Sequence, residues 1–222
     1  MTGTARPITL VGTPVLHRPC RPVERFDDEL ARLVEDMFAS MYAARGVGLA
    51  ANQIGVDLRV FVYDCPDQDG ERRKGLVVNP TVQTPAGPGR TLDDSEEGCL
   101  SVPGPHVSLP RPDTAVCDGF DLSGDPITVE GTGLLARCLQ HETDHLDGRL
   151  YIDRLPAKAR KKALEEFEAR RAAPAQDTGR GWRGGPPVGG SGDGDDGQGD
   201  HGDDQRAQGG GQQRVMRRPR HR

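Results

Sequence analysis

The sequence predicts an α+β fold in which antiparallel sheets pack around a central polar helix, followed by a C-terminal helix and a disordered tail. Three features carry that expectation. An apolar stripe at helical spacing lies near the start, short β-branched runs divided by Gly, Pro and Asp turns fill the middle, and a second helical pattern follows them.

The first helix follows Phe26, where Asp27 or Asp28 can cap it. Leu30, Leu33, Val34, Met37, Phe38, Met41 and Tyr42 then recur on one face and read as core. Strands are expected at Leu58 to Tyr63, at Leu76-Val77-Val78 ending in Asn79-Pro80, at Thr114 to Phe120 and at Ile127-Thr128-Val129. The central helix begins near Thr132 or Gly133, and Leu155 to Ala172 reads as the last one. Beyond Pro174 the composition turns to Gly, Asp, Gln and Arg, too poor in apolar residues to build a core. The expected organisation is one folded domain over 1–172 and a low-complexity tail over 173–222.

A domain of roughly 170 residues can bury a core without disulfides. Five cysteines, at 20, 65, 99, 117 and 138, form no C-x-x-C pair, and the odd number speaks against a disulfide framework or a zinc ribbon. The net charge of -5 does not advertise DNA binding. No apolar run is long enough for a membrane span, and Met1 to Leu10 has no signal-peptide region, so the expectation is a cytoplasmic protein with no membrane partner.

The central helix carries Gln140-His141-Glu142-Thr143-Asp144-His145. At 3.6 residues per turn, His141 and His145 share a face and can hold one divalent ion. Glu142 is offset from them, so its carboxylate falls near an open coordination position, where it can take a proton from water. A polar helix with solvent-facing histidines is the plain alternative.

A catalytic site of this kind normally has three protein ligands. Gly148 continues one protease pattern, but Tyr151 stands where its third histidine belongs. Glu165 suits a second protease pattern by spacing, although Lys161 to Glu168 reads as a charged surface helix. Upstream, Cys99 lies in the polar segment Glu97-Gly98-Cys99-Leu100-Ser101 and is the better candidate. Cys117, inside a strand, and Cys138, on the apolar side of the central helix, read as small core residues.

Three segments in register, Gly46-Val47-Gly48-Leu49-Ala50-Ala51-Asn52-Gln53, Glu97-Gly98-Cys99-Leu100-Ser101 and His141-Glu142-Thr143-Asp144-His145, resemble the bacterial peptide deformylases. The likeness runs from about Ile8 to Ala172 and implies removal of the formyl group from the N-terminal methionine of new polypeptides, with release of formate. It implies Cys99, His141 and His145 as ligands of one iron(II), with zinc, nickel or cobalt as substitutes. It implies Glu142 as proton carrier, and the Gln53 amide and Leu100 backbone N–H as donors to the oxyanion. Gly46, Val47 and Gly48 would pair with an N-formylmethionyl peptide as an added strand, and Val47, Leu134 and Cys138 would surround the methionine. The basic helix Leu155 to Ala172 would dock on the ribosome near the exit tunnel, against the alternative of a solvated lysine-rich face.

Both Gly46 and Gly48 are read as allowing positive φ and close approach of a peptide. Two positions depart from the family pattern. His106 stands where many members have a peptide-contacting arginine, and Arg137, where an apolar residue is expected near the pocket mouth, is read as turning to solvent. Arg111, by contrast, stands where the family has an arginine that pairs with the motif glutamate, which implies a Glu97–Arg111 ion pair that steadies Cys99, against the alternative of a plain surface arginine.

Overall fold

In the computed structural model, residues 3–173 are described, so the tail expected over 173–222 lies outside the described residues from position 174 onward. The described residues belong to one unit. Helix α1 spans Asp28–Ala43 and begins where the Asp27 carboxylate accepts the N–H groups of Glu29 (3.0 Å) and Leu30 (3.2 Å). Asp28 and Glu29 in its first turn suit the positive end of the helix dipole. Nine strands follow among the described residues: β1 Gly48–Ala50, β2 Val60–Pro66, β3 Arg72–Gln83, β4 Leu92–Asp93, β5 Glu96–Cys99, β6 Val102–Ser108, β7 Arg111–Pro112, β8 Thr114–Phe120 and β9 Pro126–Thr132. Helices α2, Gly133–Leu146, and α3, Ala157–Ala172, complete the order.

The principal sheet is antiparallel with strand order β1-β2-β3-β8-β9. Strand β2 shows why it lies between α1 and α2. Its side chains alternate at the two-residue strand period: Phe61, Tyr63 and Cys65 join a core with Leu135, Cys138 and Leu139 of α2, whereas Val60 and Val62 join Leu30, Leu33, Met37 and Met41 of α1. A third core packs Ala163 and Phe167 of α3 against Cys99 and Val102 in the β5–β6 hairpin, with Leu150, Tyr151 and Ile152 between them. The architecture is the α+β arrangement expected, with α2 central.

Strand β3 is longer than Leu76-Val77-Val78. The chain does not turn away at Asn79-Pro80; it bulges and continues, with the pairing slipping between Val78↔Phe120 and Thr81↔Asp118. Asn79 takes φ 50, and its side chain accepts from Val23 N (2.8 Å) and donates to Val23 O (2.9 Å). Asparagine tolerates that left-handed backbone, so the signal of a turn became the signal of a bulge. Helix α3 starts two residues later than Leu155, because Pro156 supplies its N-cap while Leu155 is buried in the third core.

Candidate metal centre

Almost all of α2 is buried, including the polar run Gln140 to His145, so each polar group there needs a partner. Gln140 donates to Pro112 O and Ala136 O (2.9 Å each), and Thr143 Oγ1 donates to Leu139 O (2.8 Å). Asp144 is gripped by Arg111 (2.9 Å) and Arg154. Among the described residues, three buried side-chain atoms have no partner: Asn52 Oδ1, Glu142 Oε2 and His145 Nδ1. Two of the three belong to the His-Glu-x-x-His segment.

The hairpin between β5 and β6 turns at Leu100 and Ser101 and delivers Cys99 to α2. Cys99 Sγ lies 3.2 Å from His145 Nε2, which lies 3.2 Å from His141 Nε2, and the three donor atoms all fall within 4.8 Å of one another. Two ligands at about 2.0–2.1 Å from a tetrahedral ion stand roughly 3.3 Å apart, so this donor set fits a single divalent cation. A soft thiolate with two imidazoles suits iron, zinc, cobalt or nickel better than magnesium or calcium.

Glu97, also on β5, organises the outer side of the cluster. Its Oε1 accepts from His141 Nδ1 at 2.6 Å, which leaves Nε2 facing the other two donors. Arg111 grips the same carboxylate through Nε–Oε2 (2.7 Å) and Nη2–Oε1 (2.6 Å). The expected Glu97–Arg111 pair is present, and its direct contact is with His141 in addition to fixing the strand of Cys99. Burial pushes the Glu97 carboxyl up, but the bonds from His141 and Arg111 outweigh it and hold it well below the usual range. Burial lowers His141 as well, yet contact with Cys99 and Glu97 drives it well above its ordinary value, while burial and His141 push His145 well below. Glu142 is moved the other way: burial and the nearby Glu97 raise its carboxyl to about 7, against the lowering effect of His141.

Gln53 occupies a single 3-10 turn, Ala51–Ile54, directly after β1. Its Oε1 accepts the Ala50 N–H (2.9 Å), so Nε2 is turned toward Ser101 Oγ (3.3 Å) and Cys99 Sγ (3.7 Å). Gly46, Val47, Gly48, Gln53, Cys99, Leu100, His141 and Glu142 line one small cavity, together with Gly98. Strand β1 is the end strand of its sheet. Neither Gly46 nor Gly48 has positive φ, contrary to expectation. Space is what demands glycine here: a Cβ on Gly48 would overlap Glu142 Oε1 and lie 2.6 Å from Cys138 Sγ, and one on Gly46 would lie 2.8 Å from Leu100 Cδ1.

The structure therefore brings together Cys99, His141, His145, Glu142, Gln53, Leu100 and the Gly46-Val47-Gly48 segment. Leu134 and Cys138 lie behind them in the core shared with Val47, and Cys138 Sγ is 3.8 Å from Val47 O. Cys117 is buried as expected, its thiol pushed up to about 12 by burial, and all five cysteines are free. Glu165 is not at the site; it is exposed on α3, 3.8 Å from Lys161. Tyr151 packs its ring 6.4 Å from that of His141 and donates its hydroxyl to Pro105 O (3.0 Å). His106 is exposed on β6 and covers Gly98, with Nδ1 3.1 Å from Gly104 O.

Arg137 overturns its expectation, since it is 2% exposed and does not turn to solvent. Its guanidinium bonds Glu97 Oε2 (2.9 Å), Leu109 O (2.8 Å) and Asp93 O (2.8 Å). Helical spacing held the missed signal, because residues 137 and 141 share a face, and a face carrying a ligand-like histidine accepts a polar neighbour. Asp144, Arg154 and Ser101 were likewise unassigned; Asp144 stands one turn beyond His141, but its partners come from distant segments.

A buried Cys/His/His donor set beside a carboxylate with one unpartnered oxygen, in an α+β fold, fits the class of metal-dependent hydrolases. The polypeptide deformylase profile matches residues 5–161. Peptide deformylase 1 of Streptomyces avermitilis is 60% identical over 165 residues, covering 74% of this chain and 76% of the relative. The crystal structure of a peptide deformylase from Legionella pneumophila superposes with TM-score 0.67 at 39% identity, covering 75% of this chain and 95% of that one. A peptide deformylase from Ehrlichia chaffeensis, in complex with actinonin, gives 0.68 at 32% identity over 77% and 99%. The chain belongs to the polypeptide deformylase family. It is a metal-dependent hydrolase that removes the N-formyl group from newly made polypeptides. No helix among the described residues is long and apolar enough to cross a membrane.

Proposed function

We propose that Cys99, His141 and His145 hold one divalent cation, and that Glu142, Gln53 and Leu100 carry the hydrolysis of the formyl amide. The observation that carries this reading is Glu142 Oε2, a buried carboxylate oxygen without a partner beside three converging donor atoms. When bound, the cation supplies Lewis acidity, which makes water a competent nucleophile near neutral pH. Glu142 accepts the proton of the attacking water and passes it to the departing amine, a double task suited to a carboxyl raised to about 7. Gln53 Nε2 and the Leu100 N–H donate to the oxygen that gains charge as the formyl carbon becomes tetrahedral. Each such donor contributes about 2–4 kcal/mol. The anchoring of Gln53 Oε1 by Ala50 supports that role, because the amide needs no reorientation when charge develops.

The substrate in this reading is an N-formylmethionyl peptide laid as an added strand along Gly46, Val47 and Gly48, on the outer edge of β1. Its methionine side chain packs near Val47, Leu134 and Cys138, apolar groups suited to a thioether. We assign iron(II) as the metal, with zinc, nickel or cobalt able to replace it. The exposed Lys158, Lys161 and Lys162 of α3 support docking against RNA phosphates at the ribosomal exit, in the cytoplasm. The test is formate release from a formyl-methionyl peptide by nickel-loaded protein, beside the same peptide acetylated. Rapid release with the acetyl peptide untouched is expected; metal-loaded protein that releases no formate would overturn the assignment.

A further inference from the structure

Among the described residues, Arg137 is the largest of the fully buried side chains. A guanidinium has five N–H groups, and here the acceptors match them. Nε donates to Asp93 Oδ2 (3.3 Å), Nη1 to Glu97 Oε2 (2.9 Å) and Leu109 O (2.8 Å), and Nη2 to Asp93 O (2.8 Å) with Asp93 Oδ2 at 3.0 Å. These acceptors come from β4, from β5 and from the link between β6 and β7. Burying a guanidinium is costly, and an apolar side chain of similar volume would often fill such a space at no loss of stability. Retaining the charge at this point therefore asks for a role beyond packing.

Its position indicates one. Arg137 lies one helical turn before His141 on the same face of α2, and the two residues hold the two oxygens of one carboxylate: Arg137 takes Glu97 Oε2, and His141 meets Glu97 Oε1. Arg111 also bonds both oxygens but is shared with Asp144 and arrives from β7. Both arginines link Glu97 to α2, Arg111 through Asp144, but Arg137 is the one carried by the helix of His141 itself. We propose that Arg137 is a positioning residue of the metal centre, which locks the Glu97 carboxylate so that the His141 ring presents Nε2 toward Cys99 and His145. A planar, multiply bonded guanidinium can fix an orientation in a way that a lysine cannot.

This inference rests on the reading that His141 is a metal ligand, and the experiment separates the two. Cobalt(II) affinity, by chelator competition, and the visible cobalt spectrum are measured for the full chain, for Arg137→Met and Arg137→Lys, and for both changes combined with Glu97→Gln. Arg137→Met is expected to weaken affinity by about 10- to 100-fold and to alter the spectrum, as loss of a residue that orients a ligand does. In the Glu97→Gln background it should add less than about twofold, because a residue acting through Glu97 has nothing left to orient. Wild-type affinity and spectrum in Arg137→Met, or fully additive losses in the double variant, would overturn the proposal. Where Arg137→Met does not fold, Arg137→Lys carries the test: it keeps the charge, loses the fork, and should still change both readouts, so unchanged values refute it. Cobalt binding that survives His141→Ala and Cys99→Ser unaltered would instead sink the underlying site.

Discussion

Replacing Arg111 with methionine probes the charge lattice behind the metal centre. Arg111 is 3% exposed and makes two bonds to Glu97 and one to Asp144. Removing one partner of a buried ion pair costs about 3–5 kcal/mol, since an uncompensated charge remains. Here both carboxylates keep a second cation, Arg137 on Glu97 and Arg154 on Asp144, so the lower end, about 3 kcal/mol, applies. In a domain of this size each kcal/mol moves Tm by about 2–4 °C, which gives a fall of roughly 6–12 °C by calorimetry at pH 7.

The pH dependence supplies a second check. The folded-state Glu97 carboxyl lies below its ordinary value of 4.5, so its contribution to stability is complete above that value and is lost as pH falls toward the folded one. Without Arg111 the folded value moves back toward 4.5, leaving less to lose on acidification. The gap in Tm between wild type and variant should therefore narrow below about pH 4. A gap under about 2 °C at neutral pH, or one that widens in acid, would refute the reasoning.

Glu142→Ala should retain the metal and lower kcat by about 100- to 10,000-fold, and turnover within about tenfold of wild type would rule out Glu142 as proton carrier. Gly48→Ala places a methyl group against Glu142 and Cys138, so kcat should fall at least about tenfold with metal content unchanged; wild-type kinetics would show that the segment yields easily. Cys99→Ser should weaken cobalt binding by at least about tenfold, whereas Glu165→Ala should leave it unaltered, and the reverse pattern would restore the protease-like alternative. Deleting residues 174–222 should leave turnover of a short formyl-peptide intact; a large loss would give those residues a place in catalysis.

The local parts of this molecule were readable because their causes are local. Asp27 caps α1, Leu30 to Met41 recur at helical spacing, and β8 runs from Thr114 to Phe120 as its β-branched pattern indicates. The His-Glu-x-x-His segment announces two donors through helical geometry alone. Cys99 required a comparison of motifs, since nothing near position 99 tells which helix the hairpin will meet. The environment of Arg137 was the least readable part. An arginine beside a pocket normally seeks water, and only tertiary contact with Asp93, Glu97 and Leu109 supplies acceptors enough to keep it inside. The bulge at Asn79 failed for a related reason, because Val23 stabilises it from 56 residues away.

That buried lattice also explains how two carboxylates so close together come to hold opposite properties. Glu97 meets Arg111, Arg137 and His141, and these bonds keep it ionised despite burial. Glu142 is one residue past His141, is equally buried, and has an oxygen with no partner, so its carboxyl rises to about 7. Environments that drive neighbouring acids apart divide their tasks. The one that cannot easily protonate holds an imidazole, and the one that can do so near neutral pH is the proton carrier proposed above. If the arginines were absent, Glu97 would compete for the same protons and no longer present a fixed acceptor to His141. On the proposed mechanism, the cations behind the site would serve the reaction without touching the substrate, by keeping one acid out of the titration that the other needs.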